Sequence, residues 1–358
     1  MLNKYLDKNF YYNKDGSRDE IVGALGNCFI QCSYIMMKTL FPGNIDFSKV
    51  YLNETTIMML LSNNDIFDDI RVPYTTFTKN IFKINEINDR DESFETVITR
   101  TLNSGKIPLI STIIEKLSFS RFYIPSCDLT AKRTDHFFIV VDEDEENYYI
   151  VESPDNVNKC NVRYYNETEC VILPKDELRE AAKQFCSVLQ LEFDKEKILY
   201  HEKNSVNVLK DIVSNFEHER IVEEDSYCFL GEEALLKFRE FISSGKMKLN
   251  GVAPSKDREL YDYFDWKIWT IKGSRDLMTI YFKGIAEKQN YRGADKILDI
   301  LKKDSEQWTI LKSMFLKSYF KGKYDVDDKY IQYLDPVIQS EKDLVLSLKN
   351  YIDEIEAV

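Results

Sequence analysis

Several features that would assign this chain to a common class are missing from its sequence. Lys and Arg number 48 against 61 Asp and Glu in 358 residues, which gives a formal net charge of −13 at pH 7. Nucleic-acid-binding proteins usually present a basic surface, so this balance argues against one. No run of about 18 apolar residues is present, and we expect no membrane span. The N-terminal residues 1–16 lack the basic-then-apolar pattern of a secretory signal.

The sequence also lacks the motifs of several catalytic classes. It has no G-x-S-x-G elbow, and residues 23–27 (GALGN) have neither the lysine nor the spacing of a phosphate loop, which disfavours a serine hydrolase and an ATP-dependent ligase. The seven cysteines are scattered and odd in number, which predicts reduced thiols in a cytoplasmic protein. Cys28 and Cys32 share one helix face, but no second pair of Cys or His accompanies them. We therefore expect no metal and no bound cofactor.

The apolar patterns divide the chain into two predicted domains. Residues 23 to about 173 alternate short helical and strand-like runs, including a strand after Pro108, a hairpin over 135–156 and a strand over 169–174. After Pro174 the spacing becomes helical in segments 174–189, 232–244, 293–303, 306–320 and 340–355. We therefore predict an α+β fold with a first domain over 1–175 and a helical domain over 176–358. The boundary is expected between about 175 and 200.

A cysteine begins the most apolar helix that the sequence predicts. Asn27 is a favourable N-cap, which places Cys28 in the first turn. The unpaired N–H groups and the helix dipole favour a thiolate there, the nucleophilic form of cysteine. The apolar residues that follow cover most of the helix surface and predict a helix buried on nearly all sides. The alternative interpretation is that Cys28 is a small apolar core residue.

A cysteine nucleophile usually works with a base, most often histidine, and the sequence has three histidines. His218 lies in a charged helical stretch and His201 in a predicted loop, whereas His136 opens the first strand of the hairpin. Folding that hairpin about residue 144 places Glu152 opposite His136, where a carboxylate would stabilise the imidazolium. Asp155, just beyond the second strand, is the alternative third residue. Ordinary strand and surface roles for these residues also stay open.

These residues carry a resemblance to a known fold. A cysteine that opens a buried helix, followed by a His-led hairpin ending in an acid near Pro154, resembles the papain-like fold in its bacteriocin-processing branch. Together with the helical C-terminal half, it further resembles the butirosin biosynthesis protein H family. The resemblance covers about residues 20–175 by motif and implies that Cys28 accepts the acyl group and His136 is the base.

The chain departs from the family pattern at two positions. Ser153 separates Glu152 from the proline, which keeps the third residue open between Glu152 and Asp155. Val22 stands six residues before the cysteine, where papain-like enzymes carry a glutamine that holds the oxyanion, and no glutamine occurs upstream. The oxyanion is then expected to accept hydrogen bonds from the Cys28 N–H and the Asn27 side chain.

The resemblance implies an acyltransferase that forms an amide in antibiotic-type metabolism. Members of the family move an acyl group from a carrier-protein thioester to an amine, and an amide-forming papain-like enzyme of closthioamide biosynthesis is related. The acyl or peptidyl carrier protein would bring the substrate on its phosphopantetheine, and an amine would be the second substrate. Two alternatives stay open, a cysteine peptidase or amidase of the same fold and an inactive papain-like binding scaffold. The missing glutamine favours the transferase over the peptidase.

Basic residues in this acidic chain suggest where a carrier protein would bind. Segment 311–324 gathers four lysines, namely Lys312, Lys317, Lys321 and Lys323. Carrier proteins are acidic, so this basic and aromatic stretch would favour their approach. The alternative is an ordinary solvated helix face. Three further cations, Arg121, Lys132 and Arg133, precede His136 and are expected to rim the catalytic cleft.

Overall fold

The chain folds into two units that can be described separately. The computed structural model describes residues 5, 9–13, 15–41, 43, 45–52, 57–62, 67–72, 81–87, 92–124, 135–183, 185–217, 221–223, 226–253, 259–289 and 293–357. Unit 1 contains Met1–Gly23, Asn27–Asn44 and Ile81–Asp194, and unit 2 contains Ala24–Gly26, Ile45–Asn80 and Lys195–Val358. The architecture mixes helix and sheet and has a helical C-terminal region, in keeping with the predicted α+β class.

The strands and helices are numbered here in chain order. The strands are β1 (Met58–Ser62), β2 (Phe67–Arg71), β3 (Phe82–Glu86), β4 (Leu109–Ile113), β5 (Asp135–Glu143), β6 (Asn147–Val151), β7 (Cys170–Pro174), β8 (Cys186–Phe193), β9 (Ile221–Glu223) and β10 (Ser226–Leu230). The α-helices are α1 (Glu20–Ala24), α2 (Cys28–Leu40), α3 (Phe47–Val50), α4 (Phe94–Asn103), α5 (Lys175–Ala182), α6 (Lys195–Lys203), α7 (Ser205–Glu217), α8 (Gly231–Ser243), α9 (Leu260–Gln289), α10 (Ala294–Phe320) and α11 (Ile331–Glu356).

Unit 1 is built around an antiparallel sheet with the strand order β3-β8-β4-β5-β6-β7. Apolar side chains cover β5 on both faces. The Phe137 ring contacts Phe29 of α2, with the ring centroids 5.2 Å apart, while Phe138 and Val140 join the core that contains Val97 of α4. Each fully buried side chain of this size contributes about 1.5–3 kcal/mol. The strand that carries His136 is therefore held firmly in place.

Most predicted strand and helix positions in unit 1 agree with the structure, but the end of one predicted helix is wrong. Strand β4 begins directly after Pro108, β7 falls within 169–174 and α5 begins directly after Pro174, as predicted. The helical prediction over 174–189 fails after Ala182, because Cys186–Phe193 forms strand β8. This strand pairs with β3 on one side and β4 on the other, so its conformation is set by partners remote in sequence.

Unit 2 combines a second antiparallel sheet with long helices. The sheet has the order β2-β1-β10-β9, and β10 runs directly into α8 through Gly231, whose φ of +52° suits glycine. Helices α9, α10 and α11 bury one extensive apolar core with residues of the sheet. The predicted first domain ended at residue 175, whereas residues 45–80 cluster with the C-terminal half and unit 1 continues to Asp194. The reason is that β1 pairs with β10 along its whole length.

Candidate active site

Helix α2 places the Cys28 thiol at its open N-terminal end. The helix begins at Cys28, and the Oδ1 atom of Asn27 accepts hydrogen bonds from the N–H groups of Phe29 at 2.8 Å and Ile30 at 3.3 Å. Every residue from Ile30 to Met37 is buried, which agrees with the predicted buried helix. Cys28 itself is half-buried, and no described residue accepts a hydrogen bond from its N–H. A thiol and an unpaired backbone donor therefore share one position.

Asp19 fixes the segment that leads into this helix. Its carboxylate is buried and accepts a hydrogen bond from the Ile21 N–H at 3.0 Å. It also accepts hydrogen bonds from two residues of α2, the Tyr34 hydroxyl at 2.7 Å and the Lys38 ammonium at 2.6 Å. Charge-assisted hydrogen bonds of this kind are stronger than neutral ones. The residues before Cys28 are thus tied to the same helix that carries the thiol.

Strand β5 brings His136 to a carboxylate. The Nε2 atom of His136 lies 2.6 Å from the Oε2 atom of Glu152, and each residue is only 5% exposed. The second oxygen, Oε1, accepts hydrogen bonds from the Ser153 N–H at 2.6 Å and the Asn156 Nδ2 at 3.1 Å. Both oxygens of Glu152 are therefore engaged, which holds the carboxylate in one orientation toward the imidazole.

The hairpin forms with a different register from the predicted one. Ile139 pairs with Val151, and a bulge follows between Val140 and Asp142, whereas folding about residue 144 would have placed residue 149 opposite 139. Glu152 is therefore not directly across the ladder from His136. It follows the last residue of β6, and the turn over 152–156 carries its carboxylate to the ring.

The thiol completes a hydrogen-bonded chain of three side chains. Cys28 is hydrogen-bonded to the His136 side chain, and because Nε2 faces Glu152, Nδ1 is the ring nitrogen left for the thiol. Burial lowers the pKa of His136, but the negative charges of Glu152 and Cys28 and its hydrogen bonds to both outweigh burial and raise the pKa well above its usual value. The raised pKa favours the imidazolium form of His136, the positively charged neighbour that favours a nucleophilic cysteine.

Asp155 occupies a different environment from Glu152. Its carboxylate is exposed and accepts two hydrogen bonds from the Arg18 guanidinium, one of them 3.3 Å long. The structure therefore brings Cys28, His136 and Glu152 together and directs Asp155 elsewhere.

Replacing Glu152 with Gln is expected to lower the pKa of His136, because the carboxylate charge is removed while burial remains. The raised pKa of His136 stabilises the folded state. This stabilisation is fully present below the unfolded-state pKa of about 6.5 and is lost as pH rises through the higher pKa of the folded state. Glu152→Gln should remove that pH dependence. The His136 titration can be followed by the ring Cε1–H NMR signal.

The matched control for this measurement is Asp155→Asn, which should leave the His136 titration in place. His201 provides an internal reference, since burial and the nearby Lys197 charge lower its pKa. A larger shift in Asp155→Asn than in Glu152→Gln would show that Asp155 is the partner of the imidazole in solution.

Sequence reasoning missed Tyr11, which lies in the same electrostatic environment. Its ring is buried, and burial together with the charge of Glu152, and with smaller effects from Cys32, Glu169 and Cys28, raises the pKa of its hydroxyl well above the usual value. The Glu169 carboxylate fixes this segment by accepting the Tyr11 N–H at 2.6 Å. A neutral phenol close to the site is a hydrogen-bond donor. The stretch NFYYNKDG has no periodic pattern that would have identified it.

Other predicted residues are dispersed. Cys32 is buried, with its Sγ 3.4 Å from the Phe137 carbonyl oxygen. His201 lies within α6 and not in a loop as predicted, whereas His218, Lys132 and Arg133 lie outside the described residues. Of the lysines in 311–324, Lys312 is paired with Asp265 at 3.0 Å. The other three, Lys317, Lys321 and Lys323, are exposed.

Comparison with known proteins does not assign the chain to a family. No protein-family model matches it, and no curated protein matches it. Across the part of the chain that the structure describes, no group of three or more His, Cys, Asp or Glu side chains could hold a metal ion. None of the helices described there has the length and apolar character needed to cross a bilayer. The proposal of a function therefore rests on the geometry of the site.

Proposed function

We propose that the protein is a papain-like cysteine acyltransferase that forms an amide from a thioester-bound acyl group. The observation that carries this proposal is the continuous chain from the Cys28 thiol through His136 to the Glu152 carboxylate. The nucleophile lies at the start of a buried helix and the base on a strand of an antiparallel sheet, which is the arrangement expected for a papain-like enzyme. Supporting side chains hold both, so the reacting atoms need little reorganisation.

In the first half-reaction, the Cys28 sulfur attacks the thioester carbonyl of the acyl donor. The oxyanion that forms would accept a hydrogen bond from the unpaired Cys28 N–H. The Asn27 Oδ1 already caps the helix, so the Asn27 Nδ2 is left as a second donor to the oxyanion. The bond between the carbonyl carbon and the donor sulfur then breaks. His136 gives its proton to the departing thiolate, and the acyl group remains on Cys28 as a new thioester.

In the second half-reaction, an amine attacks the acyl-enzyme. His136, now neutral, takes a proton from the attacking nitrogen, and the Cys28 sulfur leaves as the thiolate that re-forms the ion pair. The Glu152 carboxylate stabilises the imidazolium in both steps. A thioester already stores the energy for amide formation, which explains how the chain would work without a phosphate loop for ATP.

A carrier protein is the proposed source of the acyl group. Carrier proteins are acidic, and the exposed Lys317, Lys321 and Lys323 lie at the end of α10 and just beyond it, in a chain of net charge −13. Like-charge repulsion between two acidic proteins would otherwise slow their encounter. A local basic surface reduces that repulsion and would orient the approach.

The experiment that tests the function is intact-protein mass spectrometry after brief mixing with acyl-loaded carrier protein. Wild-type protein should gain the mass of one acyl group, and Cys28→Ala should gain none. Adding an amine should remove the adduct and release the corresponding amide. Loss of the adduct at the same rate with and without amine would show a hydrolase. No adduct with any of several acyl chains would contradict the proposal.

A further inference from the structure

A cavity of about 570 Å³ opens in unit 1 beside the turn that carries Glu152. Pro154 and Asp155, two and three residues beyond Glu152, form part of its wall. Consecutive Cα atoms are about 3.8 Å apart, so Asp155 lies within about 11 Å of Glu152 along the backbone. The cavity is therefore close to the catalytic side chains, yet Cys28, His136 and Glu152 do not line it.

The charges around this cavity are mainly positive. Arg18, Arg121 and Lys159 line it against one carboxylate, that of Asp155, which Arg18 already engages. Within the described residues, neither Arg121 nor Lys159 has an ion-pair partner, and both side chains are exposed. Unpaired cations inside a concave wall attract an anion more strongly than scattered surface cations do. The chain as a whole is strongly acidic, with a net charge of −13, so these cations mark the cavity as a candidate anion-binding site.

The turn over residues 152–156 both carries the catalytic carboxylate of Glu152 and forms part of the cavity wall. The Arg121 N–H donates to the Asn156 carbonyl at 2.9 Å, and the Asn156 Nδ2 donates to the Glu152 Oε1 at 3.1 Å. Two exposed rings, Tyr12 at 37% and Tyr164 at 44%, add apolar surface beside the cations. A ligand held here would therefore combine an anionic group with an uncharged portion.

We propose that this cavity binds the phosphate of the phosphopantetheine arm of the acyl donor, an inference that rests on the proposed acyl transfer. A phosphopantetheine thioester is uncharged at its reacting end and anionic at its far end. Its phosphate must therefore be recognised some distance from Cys28, and this cavity lies beside the turn that carries Glu152 without being lined by Cys28, His136 or Glu152. A guanidinium such as Arg121 and an ammonium such as Lys159 are the usual protein partners of phosphate oxygens.

The experiment compares two small donors that differ only in the phosphate, an acyl-pantetheine and an acyl-phosphopantetheine. At concentrations below saturation, the phosphorylated donor should acylate Cys28 about tenfold faster, the effect of one charge-assisted hydrogen bond. Arg121→Gln and Lys159→Gln should each bring this ratio of rates toward one. Lys106→Gln, which removes an exposed lysine that does not line the cavity, should leave the ratio unchanged. Equal rates for the two donors in the wild type would overturn the proposal.

A binding measurement separates this proposal from the proposed function. Unacylated phosphopantetheine and pantetheine are titrated into Cys28→Ala and followed by amide NMR. Tighter binding of the phosphorylated compound, lost in the Cys28→Ala/Arg121→Gln double variant, would support the site even if no donor acylates Cys28. Acylation of Cys28 without preference for phosphate, and without an effect of Arg121→Gln on the ratio, would overturn the site and leave acyl transfer standing.

The source of the arm is a further comparison under the same proposal. Both a coenzyme A thioester and a carrier-protein thioester place an anionic phosphate next to pantetheine, as part of a diphosphate in coenzyme A and as a phosphodiester to a serine in the carrier protein. If both acylate Cys28 and both lose rate in Arg121→Gln, the phosphate is the group recognised in each. Loss of rate in neither would overturn the site.

Discussion

Replacing His136 with Gln is expected to slow alkylation of Cys28 by iodoacetamide between pH 6 and 7 by about 100-fold, within the range that a positioned base contributes. The ring stands between the thiol and the Glu152 carboxylate, so its removal takes away both the acceptor of the thiol proton and the positive charge beside the thiolate. Gln preserves polarity and cannot act as a base at this pH. The rate is measured by mass spectrometry of the peptide that contains Cys28.

Two references make this result specific to the site. Cys160 is exposed and has a hydrogen bond only from its backbone N–H, so its alkylation rate should not change. His201→Gln is the matched histidine control and should leave Cys28 reactivity as in the wild type. If Cys28 reacts no faster than Cys160 in the wild type, the site is a silent scaffold and not a nucleophile. Equal Cys28 rates in His136→Gln and the wild type would show that the imidazole does not activate the thiol.

The parts of the site that were predictable are those with local causes. Asn27 is a strong N-cap and a long apolar run follows it, and these two features fix the start of α2 without reference to any other segment. The β5–β6 hairpin is likewise local, because two apolar runs rich in β-branched and aromatic residues flank an acidic turn. The proximity of His136 and Glu152 followed from the hairpin, although the predicted register was wrong.

That register error has a physical cause. The bulge between Val140 and Asp142 adds an unpaired residue to β5, and the turn is centred between Glu145 and Glu146, where the Asp144 carboxylate accepts the Glu146 and Asn147 N–H groups. Sequence patterning indicates that a hairpin forms but does not show a bulge. Glu152 reaches the imidazole through a turn beyond the ladder, which tolerates such a shift.

The features that could not be predicted depend on partners far along the chain. The helix predicted over 174–189 overlaps the first four residues of β8, but pairing with β3 and β4 decides the conformation of this strand. The pairing of β1 with β10 draws residues 45–80 into unit 2. Loop closure over such distances leaves no local pattern in the sequence. Tyr11 was missed for the same reason, since Glu169 fixes its segment.

The helical part of unit 2 contains a buried charged cluster that no sequence pattern indicated. The Arg275 guanidinium donates to the Glu341 carboxylate from Nε at 3.0 Å and from Nη2 at 2.7 Å to each oxygen. The Trp308 indole N–H donates to Glu341 as well, at 3.0 Å. Asp304 lies 3.3 Å from the Arg275 Nε. These residues come from α9, α10 and α11, so the cluster fixes the register of three helices.

Glu341→Gln is expected to lower the free energy of unfolding of unit 2 by about 3–5 kcal/mol, because breaking a buried ion pair leaves its partner charge uncompensated. Arg275 is 2% exposed and Glu341 1% exposed, so water does not replace the lost carboxylate. All three tryptophans, Trp266, Trp269 and Trp308, belong to unit 2. Urea unfolding followed by tryptophan fluorescence therefore reports on this unit alone. An unchanged midpoint would contradict the assignment.

Asp304→Asn is the matched control and should destabilise unit 2 much less. Burial and the Glu341 charge raise the pKa of Asp304, against the opposing charge of Arg275, which favours its neutral carboxyl form, and Asn resembles that form. The proton on Asp304 stabilises the folded state. This stabilisation is fully present below the ordinary pKa of an aspartate and is lost as pH rises through the raised pKa, so Asp304→Asn should flatten this decline.

In Glu341→Gln, Asp304 can ionise and pair with Arg275. The double variant should therefore lose more stability than the sum of the single variants, by about 0.5–3 kcal/mol, whereas additive losses would show that Asp304 does not compensate for Glu341.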